Sequence, residues 1–196
     1  MRICVFCASS TRIDPRHPAL AGALGTEIAR RGHSLVSGGG SVSSMGAIAS
    51  AVRAAGGQTL GVIPQALLDR EVADEAADEL LVTETMRERK ALMEEHSDAF
   101  IVLPGGIGTL EELFEIWTAR TLGMHDKPIV VLDPDGVLAP VRELVAGLVE
   151  SGFARPVVQN AIAWTTSVAD AMAAVEARRG ATATPTAEEQ LEAEPS

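Results

Sequence analysis

Three groups of residues in this chain have the types and spacing that chemistry on an anionic ligand requires. The first centres on Arg89 in Met86-Arg87-Glu88-Arg89-Lys90-Ala91-Leu92-Met93. On a helix Arg89 shares a face with Met86, Leu92 and Met93, whereas Arg87 and Glu88 turn to the polar side. An arginine on an apolar face is expected to be at least partly buried, and a buried charge needs a partner. The partner is either a structural carboxylate or an anionic ligand. Lys90, bordering the same face, is either a second cation for that ligand or a surface lysine.

The second group is Thr109-Leu110-Glu111-Glu112. It fits a capping box, with Thr109 as N-cap and Glu112 at the third helical position, which is a purely structural use. The same placement sets two carboxylates in a first helical turn, where the dipole favours the ionised form. An ionised carboxylate beside a ribose stabilises developing positive charge or aligns a water, so Glu112 is a catalytic candidate, with Glu111 as neighbour or substitute.

The third group is a set of loops: Cys7-Ala8-Ser9-Ser10, Ser37-Gly38-Gly39-Gly40-Ser41 and Leu103-Pro104-Gly105-Gly106-Ile107-Gly108-Thr109. Glycines admit close backbone approach, and a helix N-terminus offers free N–H groups to an anion. Two such turns in one small sheet read as a phosphate site; tight turns alone are the plainer alternative. Gly38-x-Gly40 is followed by Ser43 rather than glycine, and no Gly-Lys-Ser/Thr occurs, so dinucleotide and Walker A patterns both fail. The four histidines (His17, His33, His96 and His125) have no metal-ligand spacing, so neither a metal nor a cofactor is expected.

The elements that must position these groups follow from hydrophobic periodicity. Short apolar runs at 2–7, 34–37, 59–63, 80–83, 99–103, 128–132 and 157–164 read as strands. Helical patterns occupy 18–31, 44–56, 86–97, 109–122, 138–150 and 167–178. The continuously apolar runs at 99–103 and 128–132 suit strands covered on both faces, and the repeated alternation implies a doubly wound, mostly parallel α/β sandwich of three layers. Ligands of such sheets bind beyond the carboxyl ends of the strands, where all three loops lie. One domain over residues 1–179 is expected, followed by an acidic, disordered tail from Gly180.

Composition narrows the partners. The net charge of −11 argues against nucleic acid or a membrane surface, and no apolar run approaches a bilayer span. Without signal-peptide features at the N-terminus, the expected location is the cytoplasm. Cys4 and Cys7 sit three apart in one strand and face opposite ways, so buried thiols are expected rather than a disulfide.

Met86-x-x-Arg89-Lys90 followed by Pro104-Gly-Gly-Ile-Gly-Thr109-x-x-Glu112 closely resembles the LOG family of cytokinin riboside 5′-monophosphate phosphoribohydrolases. The resemblance runs from residue 2 to about 178 and includes Gly38-Gly39-Gly40…Met45-Gly46, Gly61-Val62-Ile63-Pro64 and Leu122-Gly123-Met124-His125-Asp126-Lys127-Pro128. It implies a Rossmann-like fold, usually dimeric, that releases free base and ribose 5-phosphate from N6-substituted adenosine monophosphates. It makes Arg89 and Glu112 catalytic and assigns phosphate and ribose to Gly105, Gly106, Ile107, Gly108 and Thr109, with Leu110 and Glu111 adjoining. Glu71 and Thr118 fall at ligand contacts; Ser9, Gly39, Gly40, Met45, Met86 and Lys90 complete the expected binding set. A general AMP hydrolase and a non-catalytic nucleotide binder share most of these motifs.

Two points qualify the resemblance. The family's first glycine motif usually reads GGGxxGLMG, and here Ser43 takes the place of its fourth glycine. Relatives have also been labelled lysine decarboxylases. That chemistry needs a lysine in a pyridoxal site, and only Lys90 and Lys127 are available.

Overall fold

A computed structural model describes residues 1–68 and 73–177. Its seven strands are β1 (Arg2–Phe6), β2 (Ser34–Ser37), β3 (Thr59–Pro64), β4 (Glu79–Thr83), β5 (Ala99–Val102), β6 (Ile129–Leu132) and β7 (Ile162–Thr165). They form one sheet in the order β4-β3-β2-β1-β5-β6-β7. Every pairing is parallel, from Ile3 opposite Leu35 and Ala99 to Val131 opposite Trp164. The helices are α1 (Arg16–Arg30), α2 (Ser43–Ala54), α3 (Gln65–Leu68), α4 (Met86–Glu95), α5 (Ile107–Thr121), α6 (Ala139–Glu150), α7 (Val157–Asn160) and α8 (Val168–Ala177).

Alternation along β1 divides the core into two layers. Ile3, Val5 and Cys7 face α1, α2 and α8, against Leu24, Ile28, Ile48 and Met172. Cys4 and Phe6 face the other way, against Met93 of α4, Leu113 and Trp117 of α5 and Val145 of α6. Both thiols are free and buried, one on each side of the sheet. Phe100, Leu24 and Leu113 are wholly enclosed; burying a side chain of this size contributes about 1.5–3 kcal/mol. No described helix is long and apolar enough to cross a membrane.

The expected strand at 157–164 is instead the single turn α7 followed by β7. Pro156 precedes that turn with φ −55°, already suited to a helix start. The carbonyl of Val158 then accepts the indole N–H of Trp117 at 2.9 Å. A short apolar run carries no period long enough to separate strand from helix. The four-residue helix α3 is likewise too short to carry a period in the sequence. Glu71 and the tail from Gly180 lie outside the described residues.

The chain winds outward from β1 through β2 and β3 to β4, then returns to the opposite side of β1 as β5. Neighbouring loops after β1 and β5 therefore lead to helices on opposite faces, which opens a crevice at the carboxyl edge.

Candidate active site

A cavity of about 510 Å³ occupies this crevice, a volume suited to a small ligand. Its walls come from the loop after β1, from Gly38 and Met45, from Met86, Arg89 and Met93 of α4, and from the turn 104–109 with Glu111 and Glu112. Ser9, Met45, Met86, Gly105, Gly106, Ile107, Gly108 and Thr109 of the expected set thus share one hollow with Arg89 and Glu112.

α4 is set by its start. Thr85 is the N-cap: its hydroxyl accepts the Glu88 N–H at 3.2 Å, while the Glu88 carboxylate accepts the Glu84 N–H at 3.0 Å. This fixes the register that turns Arg89 and Met93 inward and leaves Met86 half exposed at the cavity mouth. Arg89 is 7% exposed. Its Nε donates to the Val62 carbonyl at 3.1 Å and its Nη2 to the Gly38 carbonyl at 3.4 Å, and its Nη1 lies 3.5 Å from a Glu112 oxygen. The partners of the buried charge are therefore two carbonyls and a carboxylate, with the guanidinium still bordering the cavity.

α5 begins earlier than the capping-box reading placed it. Gly106 is the N-cap, no side chain caps the helix, and Ile107 is its first residue. Thr109 lies inside the helix and donates its hydroxyl to the Cys7 carbonyl at 3.2 Å, tying α5 to the end of β1. Glu112 stands in the second turn, clear of a capping role, and the α5 N-terminus is left open toward the cavity.

Burial rather than the dipole governs Glu112. Enclosure pushes its carboxyl up from 4.5 to about 7; Arg89 works against this, and the nearby Glu111 carboxylate adds to the rise. A carboxyl poised near neutrality exchanges a proton readily at working pH, as a general acid or base must.

Several expected contacts lie elsewhere. Lys90 does not line the cavity: its ammonium bonds Glu111 and sits 2.6 Å from Glu115 on the α4–α5 surface. Burial opposes its charge, but those two carboxylates more than offset this and raise its pKa. Gly39 turns away with φ +74°, packs over Ile63 and accepts the Asp74 N–H, and Gly40 bridges Ala73. These two glycines anchor the chain that leads to β4 and do not touch the cavity. Leu110 packs against the sheet, and Thr118 is exposed two turns beyond the cavity.

Gly38 is the glycine of that loop that matters to the site. A Cβ built there would lie 2.0 Å from Arg89 Nη2. The clash is with the end of a flexible side chain, so Gly38→Ala is expected to fold but to displace the guanidinium. A loss of roughly 10–100-fold in kcat/KM should follow, with stability lowered by roughly 1–3 kcal/mol as the buried hydrogen bonds of Arg89 are disturbed; steady-state rates and melting curves will record both.

Ser43, the family departure, has φ 55°, and its hydroxyl donates to the Ser10 carbonyl at 2.6 Å. The left-handed backbone costs a non-glycine residue roughly 1–2 kcal/mol, and one neutral hydrogen bond returns about 0.5–1.5 kcal/mol. Ser43→Gly should therefore change stability by less than about 1 kcal/mol while freeing the Ser9–Ser10 wall. The expected outcome is a KM raised several-fold with kcat retained; an unchanged KM would show that the tether does nothing for the ligand.

His17, which has no metal-ligand spacing and is absent from the expected binding set, lines the cavity. The signal was present in its place directly after the loop that follows β1. Its significance depends on β5 lying beside β1.

Comparison with known proteins agrees with this geometry. A family model described as "Possible lysine decarboxylase" matches residues 45–175. The cytokinin riboside 5′-monophosphate phosphoribohydrolase of Mycobacterium tuberculosis is 52% identical over 175 residues, which is 88% of this chain and 91% of that protein. The protein of the same name from Mycobacterium marinum is 55% identical over 154 residues, 77% of this chain and 80% of that one. Among solved structures, the molybdenum cofactor carrier protein of Chlamydomonas reinhardtii matches with a TM-score of 0.70 at 24% identity, over 92% of this chain and 98% of that one. A likeness at that identity concerns the fold. The lysine decarboxylase description finds no support in the lysines: Lys90 is held by Glu111 and Glu115, Lys127 donates to the Glu94 carbonyl, and neither lines the cavity. With the buried arginine–glutamate pair, the open glycine turn and relatives above half identity in view, the chain belongs to the family of the cytokinin riboside 5′-monophosphate phosphoribohydrolases.

Proposed function

We propose that this protein hydrolyses the N-glycosidic bond of N6-substituted adenosine 5′-monophosphates, releasing the cytokinin-type base and ribose 5-phosphate. One observation carries the reading: Arg89 and Glu112 form a buried pair on the wall of a cavity that also holds the uncapped start of α5. A protein that only bound a nucleotide would have no use for a near-neutral carboxyl beside a locked guanidinium.

In this scheme the 5′-phosphate rests on the Gly105–Thr109 turn, where backbone N–H groups and the helix dipole favour an anion. The ribose lies across Glu112, and the purine lies among Met45, Met86 and Met93. As the C1′–N9 bond breaks, ionised Glu112 stabilises the sugar cation and takes a proton from the attacking water. The water oxygen bonds C1′, and the proton passes on to the departing purine nitrogen. Arg89 holds Glu112 in place and favours its ionised form.

Homodimeric assembly in the cytoplasm belongs to the same proposal. Ile107, Phe114, Thr118 and Leu122 form one exposed stripe along α5 and just past its end. A partner seated on this stripe would cover the apolar side chains; sedimentation equilibrium tests the assembly. For the reaction, the test is incubation with AMP and with its N6-isopentenyl analogue, following free base by chromatography. Preferential release from the analogue supports the reading. Equal or greater release from AMP makes the enzyme a general AMP hydrolase, and no base from either makes it a nucleotide binder.

A further inference from the structure

We infer that His17 is a phosphate-binding residue of the cavity, an inference that rests on the nucleoside monophosphate reading above. His17 stands in the first turn of α1, half-buried, with its backbone N–H donated to the Asp14 carbonyl at 3.0 Å. Its ring lines the cavity together with Ser9, Ser10 and the Gly105–Gly108 turn. Ring atom Nδ1 is enclosed and has no hydrogen-bond partner among the described residues. An enclosed polar nitrogen left without a partner costs roughly 1–3 kcal/mol, and a rotation of the ring that presents it as an N–H donor to a ligand oxygen in the cavity removes the cost.

The charge balance of the walls points the same way. Among the described residues, the charged side chains lining the cavity besides His17 are Arg89, Glu111 and Glu112. Arg89 is committed to Glu112, and Glu111 to Lys90. Among the described residues, a phosphate carrying up to two negative charges would therefore meet carboxylates and the partial charge of about +0.5 at the start of α5. The imidazole of His17 on the α1 side supplies a directed N–H. The adjacent Arg16 is engaged by Asp14 and Asp135 at 3.6 and 3.4 Å and does not line the cavity. The fold makes this arrangement: β1 and β5 are neighbours at the point where the winding reverses, so the first turns of α1 and α5 flank one crevice from opposite faces of the sheet.

The inference is tested by calorimetric binding of ribose 5-phosphate and, separately, of N6-isopentenyladenine, to wild type and to His17→Ala and His17→Gln. The expected result is a Kd for ribose 5-phosphate raised about tenfold by His17→Ala and less by His17→Gln, which keeps an N–H donor. The Kd for the free base should stay within about twofold. Ribose 5-phosphate binding unchanged in both variants would overturn the inference, as would equal weakening of sugar phosphate and base. If His17→Ala does not fold, His17→Gln carries the comparison. Wild type that binds ribose 5-phosphate through His17 yet frees no base would leave this inference standing and remove the hydrolase reading. Wild type that binds no ribose 5-phosphate would overturn the inference whatever its turnover.

Discussion

Glu112→Gln is expected to lower turnover of the nucleoside monophosphate by roughly 10²-fold or more while leaving ligand binding within a few-fold of wild type. The amide keeps the shape of the carboxylate but neither takes a proton from water nor carries the charge that opposes the sugar cation. Because the wild-type carboxyl is pushed up to about 7, and the scheme needs it ionised, kcat/KM should rise with pH through that value and level off above it. A rate that falls as pH rises through the same range would identify Glu112 as an acid and sink its role as base. Stability should move in the opposite direction. A carboxyl whose folded value exceeds its unfolded one favours the fold when protonated; that contribution is complete below about 4.5 and lost as pH rises through about 7. Wild type should therefore lose up to about 3 kcal/mol relative to Glu112→Gln between pH 5 and pH 8, read from denaturant midpoints. The site holds a group that the fold would prefer neutral, and it is in the ionised state that this group acts.

Arg89→Ala should have the largest effect on both fold and activity. It removes the donor to the Val62 and Gly38 carbonyls and the counter-charge of Glu112 together. Losing one partner of a buried pair costs about 3–5 kcal/mol when the other stays charged. Here Glu112 escapes by protonation, so the cost should be marked at pH 8 and much smaller at pH 5. A fall in kcat/KM of about 10³-fold is expected, and the acid limb of the residual activity should move to higher pH, because Arg89 is what holds Glu112 down. Arg89→Lys restores a charge without the planar fork and should recover only part of the loss. Residual activity within tenfold of wild type in Arg89→Ala would remove the residue from the mechanism.

Much of this site could be read before any coordinates. The continuously apolar run at β5 and the glycine turn after it located the carboxyl edge, and the 3.6-residue period around Met86, Arg89 and Met93 put the arginine on the inner face of α4. Errors arose where a local pattern admitted two readings. Thr109 to Glu112 fits a capping box in isolation, yet the helix starts at Ile107, an apolar residue 82% exposed that gives no periodic signal. Gly39 and Gly40 are indistinguishable from Gly38 in a run of three. Which of them meets the arginine depends on a φ of +74° and on the course of the chain toward β4.

Periodicity, glycine placement and residue type act over a few residues, and they were enough to specify an α/β sheet, an inward arginine and a carboxylate at the head of a helix. Protonation and partnership depend on groups distant along the chain, and folding alone brought these together. Parallel pairing of β1 with β5 seats His17 and the α5 turn around one crevice, and closure of that crevice removes Glu112 from water. The helix-end argument taken from sequence favoured an ionised Glu112, but loss of hydration outweighs a partial helix charge and a guanidinium 3.5 Å away. Burial is a property of the assembled layers, and no stretch of sequence carries it.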